Sequence, residues 1–212
     1  MTSSFILTMI AGIPGLIIAM VVHEYAHAQI AVKLGDPTPQ LMGRTTLNPL
    51  AHLDPLGLIM LLVVQFGWAK PVEINPMNFK NPRRDDMLVS VAGPLANLIT
   101  GFLATAFIVG LFYWEKGHLS EGTHLVLSLI VLYNINFAIF NLIPVPPLDG
   151  SHILLRILPT NLAYRFARIA YNPMVSWGIL IVFLMTPIPA YILRPMTQWI
   201  IQMYSSVLAI LF

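Results

Sequence analysis

Val22-His23-Glu24-Tyr25-Ala26-His27 sets two imidazoles four residues apart with a carboxylate beside the first. On a helix, residues i and i+4 share a face, so both rings can reach one Zn²⁺. The H-E-x-x-H order then leaves Glu24 beside the metal as a general base for its water. The chain has no cysteine, which removes disulfides and thiolate ligands and leaves His and carboxylate as the metal donors. A catalytic zinc takes three protein ligands and keeps a position open. Asp149, in Leu148-Asp149-Gly150, leads for the third place, although it also reads as a turn or helix-capping aspartate. Asp54 and His52, in Ala51-His52-Leu53-Asp54-Pro55, compete with it, and His152 can share its helical face. Spacing alone leaves that choice open.

The elements that must position these groups are apolar. Of 212 residues 57% are hydrophobic and only 9% charged, against about 25% charged in ordinary soluble domains, and the mean hydropathy is +0.78. This excludes a soluble enzyme and a disordered chain, and a net charge of +2 gives nucleic acid no footing as a partner. Six runs carry little or no charge: 5–22 (continuing to 32 with Glu24 its only acid), 55–69, 87–114, 122–148, 169–193 and 195–212. A spanning helix needs about 20 apolar residues, so five runs qualify and 55–69 is short. The first run has no basic leader, and His23, Glu24 and His27 follow it in place of a small-residue cleavage site, so it reads as a span and not as a secretory signal. The polar stretches between runs are short and rich in turns, with an extended piece at Val72-Glu73-Ile74-Asn75. The expectation is an all-α polytopic membrane protein, residues 1–212 forming one domain with a core at 5–160 and C-terminal helices over 161–212. It has about five to six transmembrane helices and a short re-entrant or β-hairpin segment near 55–75.

Topology bears on the third ligand. If all six runs crossed, the ends of the first and fourth would lie on opposite sides, and Asp149 could not meet His23 and His27. If 55–69 dips in and returns, the third run leaves the side of the H-E-x-x-H and the fourth brings Asp149 back to it. That arrangement puts Lys33, Arg44, Lys70, Lys80, Arg83, Arg84, Arg156, Arg165 and Arg168 on one face, nine of eleven basic residues, with Lys116 and Arg194 opposite. By the positive-inside rule that face is cytoplasmic.

The pairing of His23-Glu24-Tyr25-Ala26-His27 with Asn141-Leu142-Ile143-Pro144-Val145-Pro146-Pro147-Leu148-Asp149-Gly150 resembles the site-2 proteases, intramembrane zinc metalloproteases. Ala92-Gly93-Pro94-Leu95-Ala96-Asn97 is similar to the family's A-G-P-x-x-N segment. Thr46-Leu47-Asn48-Pro49-Leu50-Ala51-His52-Leu53-Asp54-Pro55 and Gly67-Trp68-Ala69-Lys70-Pro71-Val72 look like a compact, mostly prokaryotic branch without PDZ insertions. The resemblance implies that His23, His27 and Asp149 bind one zinc ion per chain, that Glu24 is the catalytic base, and that Asn141 binds the substrate backbone. It also implies a membrane-dipping hairpin that aligns substrate, for which 66–75 is the candidate. Asn97, His52 and Asp54 are candidates for groups that support the ligands from behind.

The expected activity is hydrolysis of peptide bonds in transmembrane protein or peptide substrates, within the bilayer of the plasma or inner membrane, with the site toward the cytoplasm. A helical substrate must unwind before attack, at several kcal/mol per unsatisfied backbone group in hydrocarbon. Polar groups near the site, Asn141 and a strand edge at 66–75, can offset that cost. The alternative is a membrane metal-binding protein or transporter without protease activity, which leaves Glu24 without a task.

Overall fold

In the computed structural model, residues 3–57, 69–115 and 118–211 are described. They form nine α-helices: α1 (Ser3–Lys33), α2 (Thr38–Leu41), α3 (Pro49–His52), α4 (Pro82–Trp114), α5 (Glu121–Leu142), α6 (Asp149–Ile157), α7 (Thr160–Ala170), α8 (Pro173–Met185) and α9 (Ile188–Leu211), with a 3₁₀ turn at Pro76–Asn78. No regular strand occurs among the described residues; a single antiparallel bridge pairs Leu53 with Ala69. Most of the expected re-entrant or hairpin segment, 58–68, lies outside the described residues.

Helices α1, α4 and α5 pack mutually and form the centre of the molecule. Each is long and apolar enough to cross a bilayer, and α7 with α8 forms a pair bent by 85° that can count as a fourth passage. Local sequence explains where each one stops. α1 ends at Lys33 because Gly35, at φ +108°, takes a backbone conformation that side-chain-bearing residues rarely adopt. The N–H of Asp36 then reaches back to Ala31 O at 3.0 Å, closing the helix end. α4 starts at Pro82, suited to a first helical turn, and Asp85 accepts a hydrogen bond from Asn81 N at 3.0 Å. α5 is capped by Ser120, whose Oγ accepts from Thr123 N at 3.1 Å. Pro144, Pro146 and Pro147 keep the chain from continuing α5 as a helix, and α6 opens directly on Asp149.

The C-terminal quarter departs from the expected division. Charge at Arg194 and the following Pro195 suggested a junction between two spans, yet α9 runs through both as one helix. The breaks fall where polar caps stop a helix. Asn172 accepts from Val175 N at 3.3 Å with Pro173 in the first turn, and Thr186 Oγ1 donates to Phe183 O at 2.7 Å just before Pro187. α9 packs on α5, α4 and α8. Its Tyr204 hydroxyl donates to Leu98 O and its Thr197 hydroxyl to Asn136 Oδ1, both at 2.7 Å.

Candidate metal centre

α1 carries His23 and His27 on the face turned toward α4 and α5, and both are buried. Their rings stand edge to face with centroids 4.5 Å apart, and Phe137 of α5 packs edge-on against His23 at 4.9 Å. Asp149, the first residue of α6, brings Oδ2 to 3.0 Å from His23 Nε2 and 3.3 Å from His27 Nε2. The three ligand atoms lie within 4.8 Å of one another. Ligands about 2.0–2.1 Å from a tetrahedral zinc are about 3.3 Å apart, so the spacing suits that ion. Asp149 Oδ2 is buried with no hydrogen-bond donor, which is costly for a carboxylate oxygen unless a cation takes the place.

The other nitrogen of each imidazole is held. His27 Nδ1–H donates to Val89 O at 2.7 Å. His23 Nδ1 lies 2.7 Å from Asn97 Oδ1. The Asn97 amide nitrogen donates to Ala19 O at 2.8 Å and to Asn134 Oδ1 at 3.0 Å, so the Asn97 oxygen faces His23 and accepts from it. Asn134 in turn donates to Ile130 O at 2.9 Å. Both rings therefore present Nε2 as a lone pair toward the shared point, the tautomer a metal ligand needs. Space is made by Gly93 of α4: a Cβ there would sit 2.5 Å from His27 Nε2 and 2.7 Å from His23 Cε1. Gly150 has a similar role behind Asp149, where a Cβ would collide with the carbonyl oxygens of Leu142 and Ile143.

Glu24 is half-buried and faces the same cavity, of about 410 Å³, as both histidines, Asp149, Asn141 and His152. The segment after Lys70 also lines it, with Pro71, Val72, Ile74 and Pro76. Val72 N–H donates to Glu24 Oε2 at 2.9 Å. Lys70 N–H donates to His52 O at 2.8 Å, and Asn75 N–H to Asp36 Oδ2 at 2.8 Å. Asp36 Oδ1 also accepts from Thr38 N at 3.1 Å, Thr38 Oγ1 at 2.6 Å and Asn78 Nδ2 at 2.7 Å. Burial acts to raise the Asp36 pKa, but the hydrogen bonds from Thr38, Asn78 and Asn75 outweigh it and hold the carboxyl below its ordinary range.

The sequence candidates thus fall into two groups. Glu24, His23, His27, Asp149 and Asn141 line one cavity, and Asn97 touches His23 from behind. The Asn141 amide nitrogen donates to Phe137 O at 3.0 Å. His52 and Asp54 line no part of that cavity. His52 is fully buried with its Nε2–H on Thr46 O at 2.7 Å, and Asp54 Oδ1 accepts from Gly57 N at 2.7 Å. Sequence reasoning passed over Asn134, the Val89 carbonyl and Asp36. Two of these lie on elements distant in sequence from the histidines, and the third reads locally as an ordinary turn aspartate.

Comparison with known proteins follows the same lines. The model of peptidase family M50 matches residues 114–185, which include Asn141 and Asp149. YwhC of Bacillus subtilis (strain 168), whose name marks it as a candidate zinc metalloprotease, is 37% identical over 199 residues, covering 91% of this chain and 90% of that protein. Rip2 of Mycolicibacterium smegmatis, named in the same way, is 29% identical over 193 residues, 88% of this chain and 70% of its own length. Zinc metalloprotease MJ0392 of Methanocaldococcus jannaschii is 26% identical over 158 residues, 74% of this chain and 37% of its own. No solved structure matches the chain.

Proposed function

The chain belongs to peptidase family M50, the site-2 protease family of intramembrane zinc metalloproteases, and from that premise we propose which residues do the chemistry: His23, His27 and Asp149 hold the zinc, and Glu24 is the general base. One observation carries this reading. Asp149 Oδ2 meets both Nε2 atoms at 3.0 and 3.3 Å without a hydrogen-bond donor of its own, while Glu24 lines the same cavity.

A zinc ion held by His23, His27 and Asp149 would supply Lewis-acid chemistry there, acidifying a water and polarising the scissile carbonyl. Glu24 takes the proton of the attacking water and passes it to the leaving amine. Its hydrogen bond from Val72 N–H holds the carboxylate at the cavity wall. Asn141, which lines the same cavity as Asp149, offers its amide oxygen to an unwound substrate backbone, while its amide nitrogen is held by Phe137 O. Backbone groups of 70–75 that are not already bonded would pair with the unwound substrate and offset part of the cost of unwinding. Asn97 keeps His23 in the ligating tautomer. The substrates are transmembrane proteins or peptides.

The reading places the site toward the cytoplasm of a plasma or inner membrane. What supports this is charge bias: in this topology nine of the eleven basic residues fall on the side where α1 ends and α4 begins. The reading also takes residues 1–212 as one membrane domain with five to six crossings and a re-entrant segment near 55–75.

The test is zinc content and cleavage of a model transmembrane peptide by wild type, Glu24→Gln and Asp149→Asn. Glu24→Gln should keep zinc and lose cleavage, and Asp149→Asn should lose both. Cleavage by Glu24→Gln at the wild-type rate would end the case for Glu24 as the base.

A further inference from the structure

We infer that Asp36 is a positioning residue for the active-site segment 70–76: its carboxylate fixes how far that segment stands from Glu24. The assignment of Glu24 and the zinc ligands is the reading on which this rests.

Asp36 lies just past the helix that carries His23, Glu24 and His27, is fully buried, and has no cationic partner among the described residues. Its four acceptor bonds divide between two tasks. Thr38 N and Thr38 Oγ1 close the turn after α1, while Asn75 N and Asn78 Nδ2 come from the segment after Lys70. Val72 N–H donates to Glu24, and three residues on Asn75 N–H donates to Asp36. One end of the segment therefore rests on the base, and the other is tied to the end of the base's own helix. Ile74, between the two ties, packs at the cluster of Ala31, Phe79 and Val89, and Val89 is the residue whose carbonyl holds His27. Releasing the Asp36 tie removes the hydrogen bond that holds the Asn75 end of the segment, leaving it to the packing of Ile74 and to the bonds of Lys70 and Val72.

The carboxylate allows a selective cut. In Asp36→Asn the amide oxygen can keep the Oδ1 position, which serves Thr38 and Asn78, and the NH₂ then faces the Asn75 N–H, donor against donor. Thr38→Val removes a bond to the same carboxylate but leaves the segment untouched. Asn78→Ala removes one tie at an exposed residue and is the milder probe should Asp36→Asn fail to fold.

The experiment uses the full chain, zinc-loaded and in detergent. It measures zinc content, amide hydrogen exchange over 69–79, and kcat and KM on a model transmembrane peptide. Asp36→Asn should keep wild-type zinc, exchange faster at Val72 and Asn75, and lose about tenfold or more in kcat/KM, as expected when a hydrogen bond to a charged group is lost. Asn78→Ala should shift both readouts the same way by less, and Thr38→Val should stay within about twofold. Wild-type exchange in both segment variants overturns the inference. So does loss of zinc in step with activity, or an equal loss in Thr38→Val, since either makes Asp36 a fold residue only. If the wild-type chain carries zinc and cleaves nothing, the protease assignment fails, while hydrogen exchange still decides what Asp36 does.

Discussion

His23 Nδ1 and Asn97 Oδ1 lie 2.7 Å apart, joining residues 74 positions distant in sequence and coupling the proposed metal ligand to the middle of α4. The pair extends through Asn134 to α5, so one chain of amides spans all three central helices. Buried amides of this kind are worth most when every member is satisfied. Asn97→Ala removes the acceptor from the His23 N–H and leaves Asn134 Oδ1 without its donor. Zinc affinity, measured against a competing chelator, should fall by about 10–100-fold. Asn134→Ala, one bond further out, should cost less. Equal affinities in Asn97→Ala and wild type would mean that packing against Phe137 alone orients the ring.

Gly93 gives a second prediction through space alone. Its missing side chain is what lets α4 approach the imidazoles, since a Cβ would sit 2.5 Å from His27 Nε2 and 2.7 Å from its Cε1. Gly93→Ala must push the ring off the ligating point or push α4 away, and raises helix propensity while doing so. We expect near-normal helix content by circular dichroism with zinc stoichiometry and cleavage both lost. A Gly93→Ala protein that binds zinc normally would show that the two helices can separate at little cost.

What could be read from the sequence follows the range of each signal. His23, Glu24 and His27 are legible because the constraint that brings them together is one helical turn. Asp149 needed topology as well: it meets the histidines only if α4 leaves and α5 returns. Asn134 was not legible, because its task depends on the register of α5 against α4, which composition does not encode. Gly93 stood in a recognisable motif whose reason is purely steric. His52 and Asp54 looked chemical because they are polar beside an apolar run. In the structure His52 is bound to Thr46 O and Asp54 caps Gly57, both satisfying local backbone groups. At the C-terminus, Arg194 suggested a boundary, but an exposed arginine can ride on the outside of α9 without breaking it. The true stops, Asn172 and Thr186, act by hydrogen bonds to the backbone and carry no charge to mark them.

Asp36 also makes stability depend on acidity. Its folded pKa lies below the ordinary value of 3.8 because Thr38, Asn78 and Asn75 donate to the ionised form, outweighing burial. A group whose pKa is depressed on folding stabilises the fold above its unfolded pKa, and that contribution is lost as pH falls through the folded value. Thermal melts of wild type and Asp36→Asn should therefore differ fully at neutral pH and converge as the medium is acidified below about pH 4. A gap that stays constant through the acid range would mean that the Asp36 carboxylate does not ionise in the fold.

The last prediction concerns what holds α6, and with it Asp149, against α4. Arg156, near the end of α6, donates from Nε to Asp86 Oδ2 at 2.7 Å, and Asp86 is 6% exposed. Arg83 adds a brace from α4, donating to Arg156 O at 2.6 Å and Leu158 O at 2.8 Å. Arg156→Met keeps most of the side-chain packing and strands Asp86 as a nearly buried carboxylate without its cation. Breaking a charged hydrogen bond at such a site costs about 1.5–3 kcal/mol. Part of that cost should appear in zinc binding, because α6 is only nine residues long and begins with Asp149, the proposed ligand. The variant should melt earlier and bind zinc more weakly, and Asp86→Asn with Arg156→Met should recover much of the lost stability by removing the stranded charge. If the double variant is no better than Arg156→Met alone, the clamp works through packing of the arginine stem and not through its charge.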